Sequence, residues 1–461
     1  MFKKVLIANR GEVSVRISRT CRRLGVESVA VYSDADAGSL QVESADSAIR
    51  LGEAPLAKSY LNVPALLGAI AQSGADAVHP GYGLLSENAE FAAAVRAAGV
   101  AFIGPETRVL ETFGDKLQAR SLARSLGIEP PPGTDTAIDP ADLAHTLELA
   151  RGIGLPLIVK AAGGGGGIGM LRVDDWAALG AATATCSERG RAAFGDARVY
   201  LERYLERPRH IEVQVLCAGR GQGWTFGERE CSVQRRHQKL IEEAPSPAAG
   251  LDVPGARTGL WKSALDLVSS QQYVGLATVE FIVDQAGIPY FLEVNPRLQV
   301  EHGITELTFG LDLVEQQLRV AAGDATELPT RAPHGHAVEV RLYAEDPERG
   351  FLPQPGQLER FRFPSSDATF RVDTGFREGD TITPHYDPLL AKVMAHGPTR
   401  ADAISRLIEG LSHSEIVLRG KLGLKRTNLP LLVRTLGSAP FRSGVYTTHL
   451  LEELKTEPTP A

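Results

Sequence analysis

Leu155-Pro156-Leu157-Ile158-Val159-Lys160-Ala161-Ala162 leads straight into Gly163-Gly164-Gly165-Gly166-Gly167-Ile168-Gly169-Met170. The apolar run reads as a buried strand that delivers one lysine, Lys160, to the mouth of a glycine loop. Each glycine costs roughly 0.5 to 1 kcal/mol relative to alanine in ordered structure, so a run of them persists where the loop touches something. Backbone N–H groups closing over anionic oxygens are the economical use, and the segment is read as a lid over phosphate with Gly165, Gly166 and Gly167 at its centre. A disordered linker is the alternative, but linkers are rarely preceded by a buried strand ending in lysine. The GxGxxG pattern inside the run is weak by itself, and a Walker-type loop is disfavoured because no Gly-Lys-Ser or Gly-Lys-Thr follows.

Around this junction lie 461 residues, enough for two to four subdomains. A hydrophobic content of 43% and a charged content of 23% match an ordinary globular chain. The net charge of −7 argues against a broad nucleic-acid surface, so any basic site is local. Cys21, Cys186, Cys217 and Cys231 form no CxxC, as expected of reduced thiols in a cytoplasmic protein. No apolar stretch approaches the length of a membrane span, and Met1 to Ala8 is too short an apolar start for a signal peptide.

Residues 4 to about 113 alternate strand and helix: Val5 to Ala8, an amphipathic stretch around Val13 to Leu24, then Ser28 to Tyr32, Ala77-Val78 and Ala101 to Ile103. This is a parallel α/β unit. Glu129-Pro130-Pro131-Pro132-Gly133 punctuates the chain before the glycine run, and from Arg209 the period changes to two, predicting antiparallel strands. A last boundary falls at Arg331 to His336, after which Ala337 to Tyr343 alternates again.

Thr278 to Val283 and Tyr290 to Asn295 read as a hairpin around Ala286-Gly287. A turn centred there places Glu280 opposite Glu293 and Thr278 opposite Asn295, on one face. Opposed carboxylates need a counter-charge, and a divalent cation with oxygen ligands, Mg²⁺ bridging nucleotide phosphates, would supply it. A solvated polar face with the glutamates in another register is the bland alternative. Further on, alternation in an extended segment sends Arg297, Gln299 and Glu301 the same way. Guanidinium binds a small carboxylate-like anion in bidentate fashion, and a neighbouring carboxylate could take its proton. Without the hairpin beside them, a structural Arg–Glu pair would be the preferred reading. Upstream, His210, Glu212 and Gln214 share a strand face, which an edge strand alone could explain. Glu230 to Lys239 is a dense basic cluster in an acidic protein, and Lys116 and Lys160 are two more phosphate donors.

Together these segments resemble the biotin carboxylase component of the biotin-dependent carboxylases, within the ATP-grasp superfamily. The resemblance runs from Ile7-Ala8-Asn9-Arg10-Gly11-Glu12 through His79 to Asn88, the glycine run, Gln234 to Lys239 and Glu293 to Glu301, and ends at Tyr386-Asp387-Pro388. Several long motifs in order are specific where any one is not. The resemblance implies an α/β and α+β architecture: a Rossmann-like N-terminal domain over residues 1–113, an ATP-grasp domain over 114–330 with a lid at about 132–204, and a mixed C-terminal domain over 331–455. It implies that Lys116, Lys160, Glu202, Leu205, His210, Gln234 and His237 surround ATP, that Glu280, Glu293 and Asn295 hold Mg²⁺ or Mn²⁺, and that Lys239, Arg297, Gln299, Val300 and Glu301 hold bicarbonate. The implied chemistry has Glu301 deprotonate bicarbonate, which attacks the γ-phosphate to give carboxyphosphate and ADP. Carboxyphosphate yields CO₂ and phosphate, the phosphate takes the N1′ proton of biotin, and the enolate, stabilised by Arg341, captures CO₂.

Ile168, Gly303 and Thr383-Pro384 look like the urea carboxylase branch, and Pro296 also departs from the acyl-CoA-directed pattern. Phe113-Gly114-Asp115-Lys116 and Arg235 to Gln238 look like the acetyl-CoA and propionyl-CoA branch, so the final acceptor stays open between the two. A different ATP-grasp ligase joining a carboxylate to an amine could use the same lysines and carboxylates. Only Met1, Met170 and Met394 are present, so no Ala-Met-Lys-Met carrier segment occurs, and Ala391-Lys392-Val393-Met394 is read as a structural strand. The expected partners are a separate biotin carboxyl carrier protein, a separate carboxyltransferase subunit and a second copy of the chain, although Arg23 stands where the family's interface acid is expected.

Overall fold

The computed structural model describes residues 1–163, 167, 169–324 and 332–456. Gly165, Gly166 and Ile168 lie outside the described residues.

The N-terminal unit is built as the alternation predicts. Ser47–Gly52, Glu27–Ser33, Lys4–Ile7, Ala77–His79 and Ala101–Phe102 lie side by side in that order, all parallel. Val5, Leu6 and Ile7 are fully buried because helices cover both faces. The helix Glu12–Leu24 closes at Gly25, whose φ of 70° is the left-handed cap that stops it.

A small antiparallel sheet follows, with Leu157–Ala161 between Met170–Val173 and Val199–Arg203. The quoted apolar run is therefore its central strand, and Val159 is buried beneath the helix Leu179–Phe194.

The scaffold of the site is an antiparallel sheet of eight strands: Pro289–Asn295, Val274–Val283, Arg209–Gly219, Gln222–Arg235, Gln238–Ala244, His336–Tyr343, Leu389–Gly397 and Phe370–Thr374. Arg209–Gly219 lies between two neighbours, so the edge-strand reading of His210 to Gln214 is corrected. The sheet is continuous across the segment at 331, because Gln238–Ala244 pairs directly with His336–Tyr343. Lys392 is fully buried on the Leu389–Gly397 strand, where it donates to the Val300 carbonyl at 2.8 Å and lies 3.2 Å from Glu12. It is a structural lysine, as its strand setting predicts. A four-stranded sheet around Gly356–Arg362 and the helix Arg400–Ser412, capped reciprocally by Thr399 and Asp402, complete the C-terminal part.

Candidate active site

The hairpin has the register that its spacing predicts: Thr278 faces Asn295 and Glu280 faces Glu293. On the neighbouring strand Glu212 faces Glu280 and Gln214 faces Thr278, which carries the polar row across a third strand. The opposite face sends Val279, Phe281, Phe291, Val213 and Ile211 into the core. Burying each such side chain contributes about 1.5 to 3 kcal/mol, enough to hold the acids in place despite their repulsion.

Lysines and an amide answer these acids. Glu280 Oε1 accepts from Lys239 Nζ at 2.8 Å and from Asn295 Nδ2 at 2.9 Å, and Glu293 Oε2 accepts from Lys116 Nζ at 2.6 Å. Glu280 Oε2 is 2.8 Å from His210 Nε2, close enough for an ion pair but not aligned as a hydrogen bond. Burial pushes the Glu280 carboxyl up, yet Lys239 and His210 outweigh it and hold the group well below the ordinary range. Burial would lower Lys116 and Lys239, but Glu293 raises the first, and Glu212, Glu280 and Glu301 raise the second far above its usual value. The donor set of two carboxylates and an amide suits a hard, oxygen-loving cation.

A cleft of about 560 Å³ opens beside this row. Lys116, Glu280 and Glu293 form one wall, and Lys160, Glu202 and Leu205 another. His210, Gln234, His237 and Gly167 also line it. Lys160 Nζ donates to Glu202, whose other oxygen accepts from Arg120 Nη1 at 2.5 Å. Gln234 Nε2 stands 2.7 Å from His210 Nδ1. Gly167, at φ 78°, comes so close to His237 that a Cβ would lie 2.9 Å from the ring, so this point of the loop needs glycine on both counts. Burial, and then Lys160, lower the His237 pKa, keeping the imidazole neutral. Sequence reasoning missed Met170, Tyr204, Thr448, His449 and Leu451 on the cleft wall. The last three arrive from the far end of the chain and carry no local signal.

Glu280 also belongs to a second group. Lys239 Nζ bridges it to Glu301 Oε1 at 2.7 Å, and Glu301 Oε2 accepts from Arg341 Nη2 at 3.0 Å. Arg297 donates to Asn295 Oδ1 at 2.8 Å, to Gln299 Oε1 at 2.5 Å and to Glu87 Oε1 at 2.7 Å. Gln299 Nε2 reaches Glu280 Oε1 at 3.4 Å. The segment is not an extended strand, a correction to the alternation argument. It is a turn that ends with Glu301 as N-cap of the helix His302–Phe309, and the turn rather than a pleat brings the side chains together. Arg297 pairs with Glu87 rather than with Glu301. The Val300 carbonyl accepts from Lys392 at 2.8 Å. Burial raises the Glu301 carboxyl, but Lys239, Arg341 and Arg229 overcome this and keep it ionised.

Arg229 was not singled out by sequence reasoning. It is fully buried beneath the acids and donates to Glu212, to Gln214 Oε1 at 2.7 Å, to Thr305 Oγ1 at 2.9 Å and to Thr278 Oγ1 at 3.1 Å. Of the basic cluster, Gln234, Arg235, Arg236 and His237 line the cleft and Lys239 lies among the acids, while the Arg235 guanidinium is held by Glu345 at 2.9 Å.

Comparison with known proteins agrees along the chain. Residues 1–110 match the biotin carboxylase N-terminal domain, residues 115–329 the ATP-binding domain of the carbamoyl-phosphate synthase L chain, and residues 339–453 the biotin carboxylase C-terminal domain. The chain is 45% identical to the biotin carboxylase of Halalkalibacterium halodurans, covering 97% of each chain. It is 43% identical to the propionyl-CoA carboxylase alpha chain of Ruegeria pomeroyi, covering 98% of this chain and 68% of that one. Among solved structures, the biotin carboxylase domain dimer of Hydrogenobacter thermophilus 2-oxoglutarate carboxylase, in complex with MgADP, ADP and bicarbonate, superposes with a TM-score of 0.94 at 37% identity over the whole of both chains. With every stretch of its fold and nearly its full length accounted for, this chain belongs to the biotin carboxylase family of ATP-grasp enzymes.

Proposed function

We propose that the protein uses ATP and bicarbonate to carboxylate carrier-borne biotin through carboxyphosphate, as the first half-reaction of an acyl-CoA carboxylase of the acetyl-CoA type. The observation that carries this reading is Lys239, which joins Glu280 on the nucleotide side to Glu301 on the anion side through one ammonium group. A nucleotide site and a small-anion site that share a residue suit direct phosphoryl transfer from one to the other.

Lys116, Lys160, His210, Gln234 and His237 then hold the nucleotide with Glu202 and Leu205, and Gly167 closes over it. Glu280, Glu293 and Asn295 are the residues that would hold Mg²⁺ or Mn²⁺, which supplies charge neutralisation to the phosphates when bound. Arg297, Gln299, Lys239 and the Val300 backbone orient bicarbonate. Glu301, ionised and fixed between Lys239 and Arg341, accepts its proton, and Arg341 stabilises the biotin enolate.

The division into units at 1–113, 114–330 and 331–455, a carboxyltransferase partner, pairing of two copies and work in the cytoplasm belong to the same proposal. Relatives include propionyl-CoA carboxylase alpha chains and a methylcrotonoyl-CoA carboxylase subunit alongside biotin carboxylase domains of 2-oxoglutarate and pyruvate carboxylases. The acyl-CoA reading rests on the motifs at Phe113 to Lys116 and Arg235 to Gln238. No described helix is long and apolar enough to cross a membrane.

The test is fixation of labelled bicarbonate onto free biotin by the purified protein with ATP and Mg²⁺. Bicarbonate and biotin are expected to raise ATP hydrolysis while amino acids and peptides leave it unchanged. Stimulation by an amine instead would replace this reading with that of a carboxylate–amine ligase.

A further inference from the structure

One pair of buried acids next to the cradle has no part in the chemistry above. Glu242 and Glu339 are register partners on neighbouring strands, so both side chains leave the same face of the sheet, and both are fully buried. Glu242 Oε1 accepts from Arg341 Nε at 2.6 Å and lies 2.5 Å from Nη2, the nitrogen that also donates to Glu301. The other Glu242 oxygen and both Glu339 oxygens have no hydrogen-bond partner among the described residues. The helix His302–Phe309 covers the pair at Gly303, where a Cβ would collide with Met394 and lie 3.5 Å from Glu339 Oε2.

The surroundings decide which acid carries charge. Glu242 faces Arg341 and Glu339 on one neighbouring strand, Cys231 on the other, Lys239 on its own, and Glu301 at the helix start. Glu339 faces Glu242, Arg341, Glu301 and Lys392, with His302 on the covering helix beside Lys392. Lys392 is the cation that acts most strongly on Glu339, but its ammonium donates to the Val300 carbonyl and lies 3.2 Å from Glu12. Two opposed buried carboxylates, with Arg341 turned to Glu242 and Lys392 to the Val300 carbonyl, do not both ionise. Burial, with Glu242 adding to it against Lys392, drives the Glu339 pKa far up. Burial also brings Glu242 to about 7 despite Arg341.

We infer that Glu242 is a positioning residue for the biotin step: its carboxylate anchors the Arg341 guanidinium, which it shares with Glu301, while Glu339 stays a neutral acid so that Glu242 is the charged member of the pair. This rests on the role of Arg341 given above. Protonating Glu242 releases the anchor, so biotin carboxylation loses rate on the acid side of neutrality more than bicarbonate-dependent ATP hydrolysis does.

Two measurements test it. Glu242→Gln is expected to lower the ratio of biotin carboxylation to bicarbonate-dependent ATP hydrolysis about 10-fold and to erase the acid limb of that ratio against pH. Glu339→Gln, which copies a neutral acid, is expected to keep the limb. Independently of any activity, infrared spectroscopy well above neutral pH should find a protonated carboxylic acid band that Glu339→Gln removes and Glu242→Gln retains. Loss of the limb in Glu339→Gln, its survival in Glu242→Gln, or absence of the band overturns the inference. If the protein carboxylated no biotin, the infrared result alone would decide the charge assignment.

Discussion

Glu280 and Glu293 face each other across the hairpin, and each carboxylate is met by a different lysine, Lys239 at 2.8 Å and Lys116 at 2.6 Å. The like charges are thus offset by two separate ammonium groups, and under the proposed function a divalent ion held by the same carboxylates would share that role.

Glu293→Gln should therefore act on the metal requirement rather than on folding. Its ion pair with Lys116 is largely buried, and the isosteric amide keeps an oxygen that accepts from the lysine. The Mg²⁺ concentration for half-maximal turnover should rise at least about 10-fold, the scale seen when even an orienting group is lost from a metal site. A magnesium titration at saturating ATP, with a thermal melt beside it, measures both.

Glu301→Gln should retain MgATP binding and lose bicarbonate-dependent turnover by roughly 10² or more, the usual scale for removing a general base. Calorimetric nucleotide binding and steady-state hydrolysis separate the two effects. Near-normal turnover would move the proton acceptor elsewhere.

Arg341→Ala should harm biotin carboxylation more than bicarbonate-dependent ATP hydrolysis. The two rates, measured on one preparation, give the ratio directly, and equal losses would remove the enolate role. Arg341→Lys should rescue little, because one ammonium cannot reproduce a fork that bonds Glu242 and Glu301 together.

Acid stability should depend on Glu243, which accepts from His336 and Arg400, each at 2.6 Å. Burial raises this carboxyl, but His336 and Arg400 bring it down to about 2. A folded pKa below the unfolded one stabilises the protein above the unfolded value, and the effect is lost as pH falls toward the folded value. Denaturant unfolding between about pH 5 and pH 2 should thus show a steeper loss in the wild type than in Glu243→Gln, by on the order of 3 kcal/mol in total.

The hairpin was legible in the sequence because a short turn and a period of two leave few registers open. The Glu280–Glu293 match nevertheless depends on an irregularity that no pattern announces. Continued unbroken from Val283 opposite Pro289, the ladder would set Glu280 against Leu292, and the bulge beyond Phe281 restores it to Glu293. Arg297, Gln299 and Glu301 were legible as a group although their backbone was misread, since a turn into a helix N-terminus gathers side chains as well as a pleat does. Thr448, His449 and Leu451 were not legible, because long-range docking leaves no trace in local periodicity. The pairing of Glu242 with Glu339 was hidden for the same reason: strands far apart in sequence share one edge.

That shared edge constrains how the chain can be recombined. A chimera joined near residue 331 would take Gln238–Ala244 from one parent and His336–Tyr343 from the other, and would splice foreign side chains against Glu242 and behind Arg341. Grafts meant to exchange the C-terminal portion should carry the earlier strand with them. The placement of Arg341 is inherited as a property of two strands.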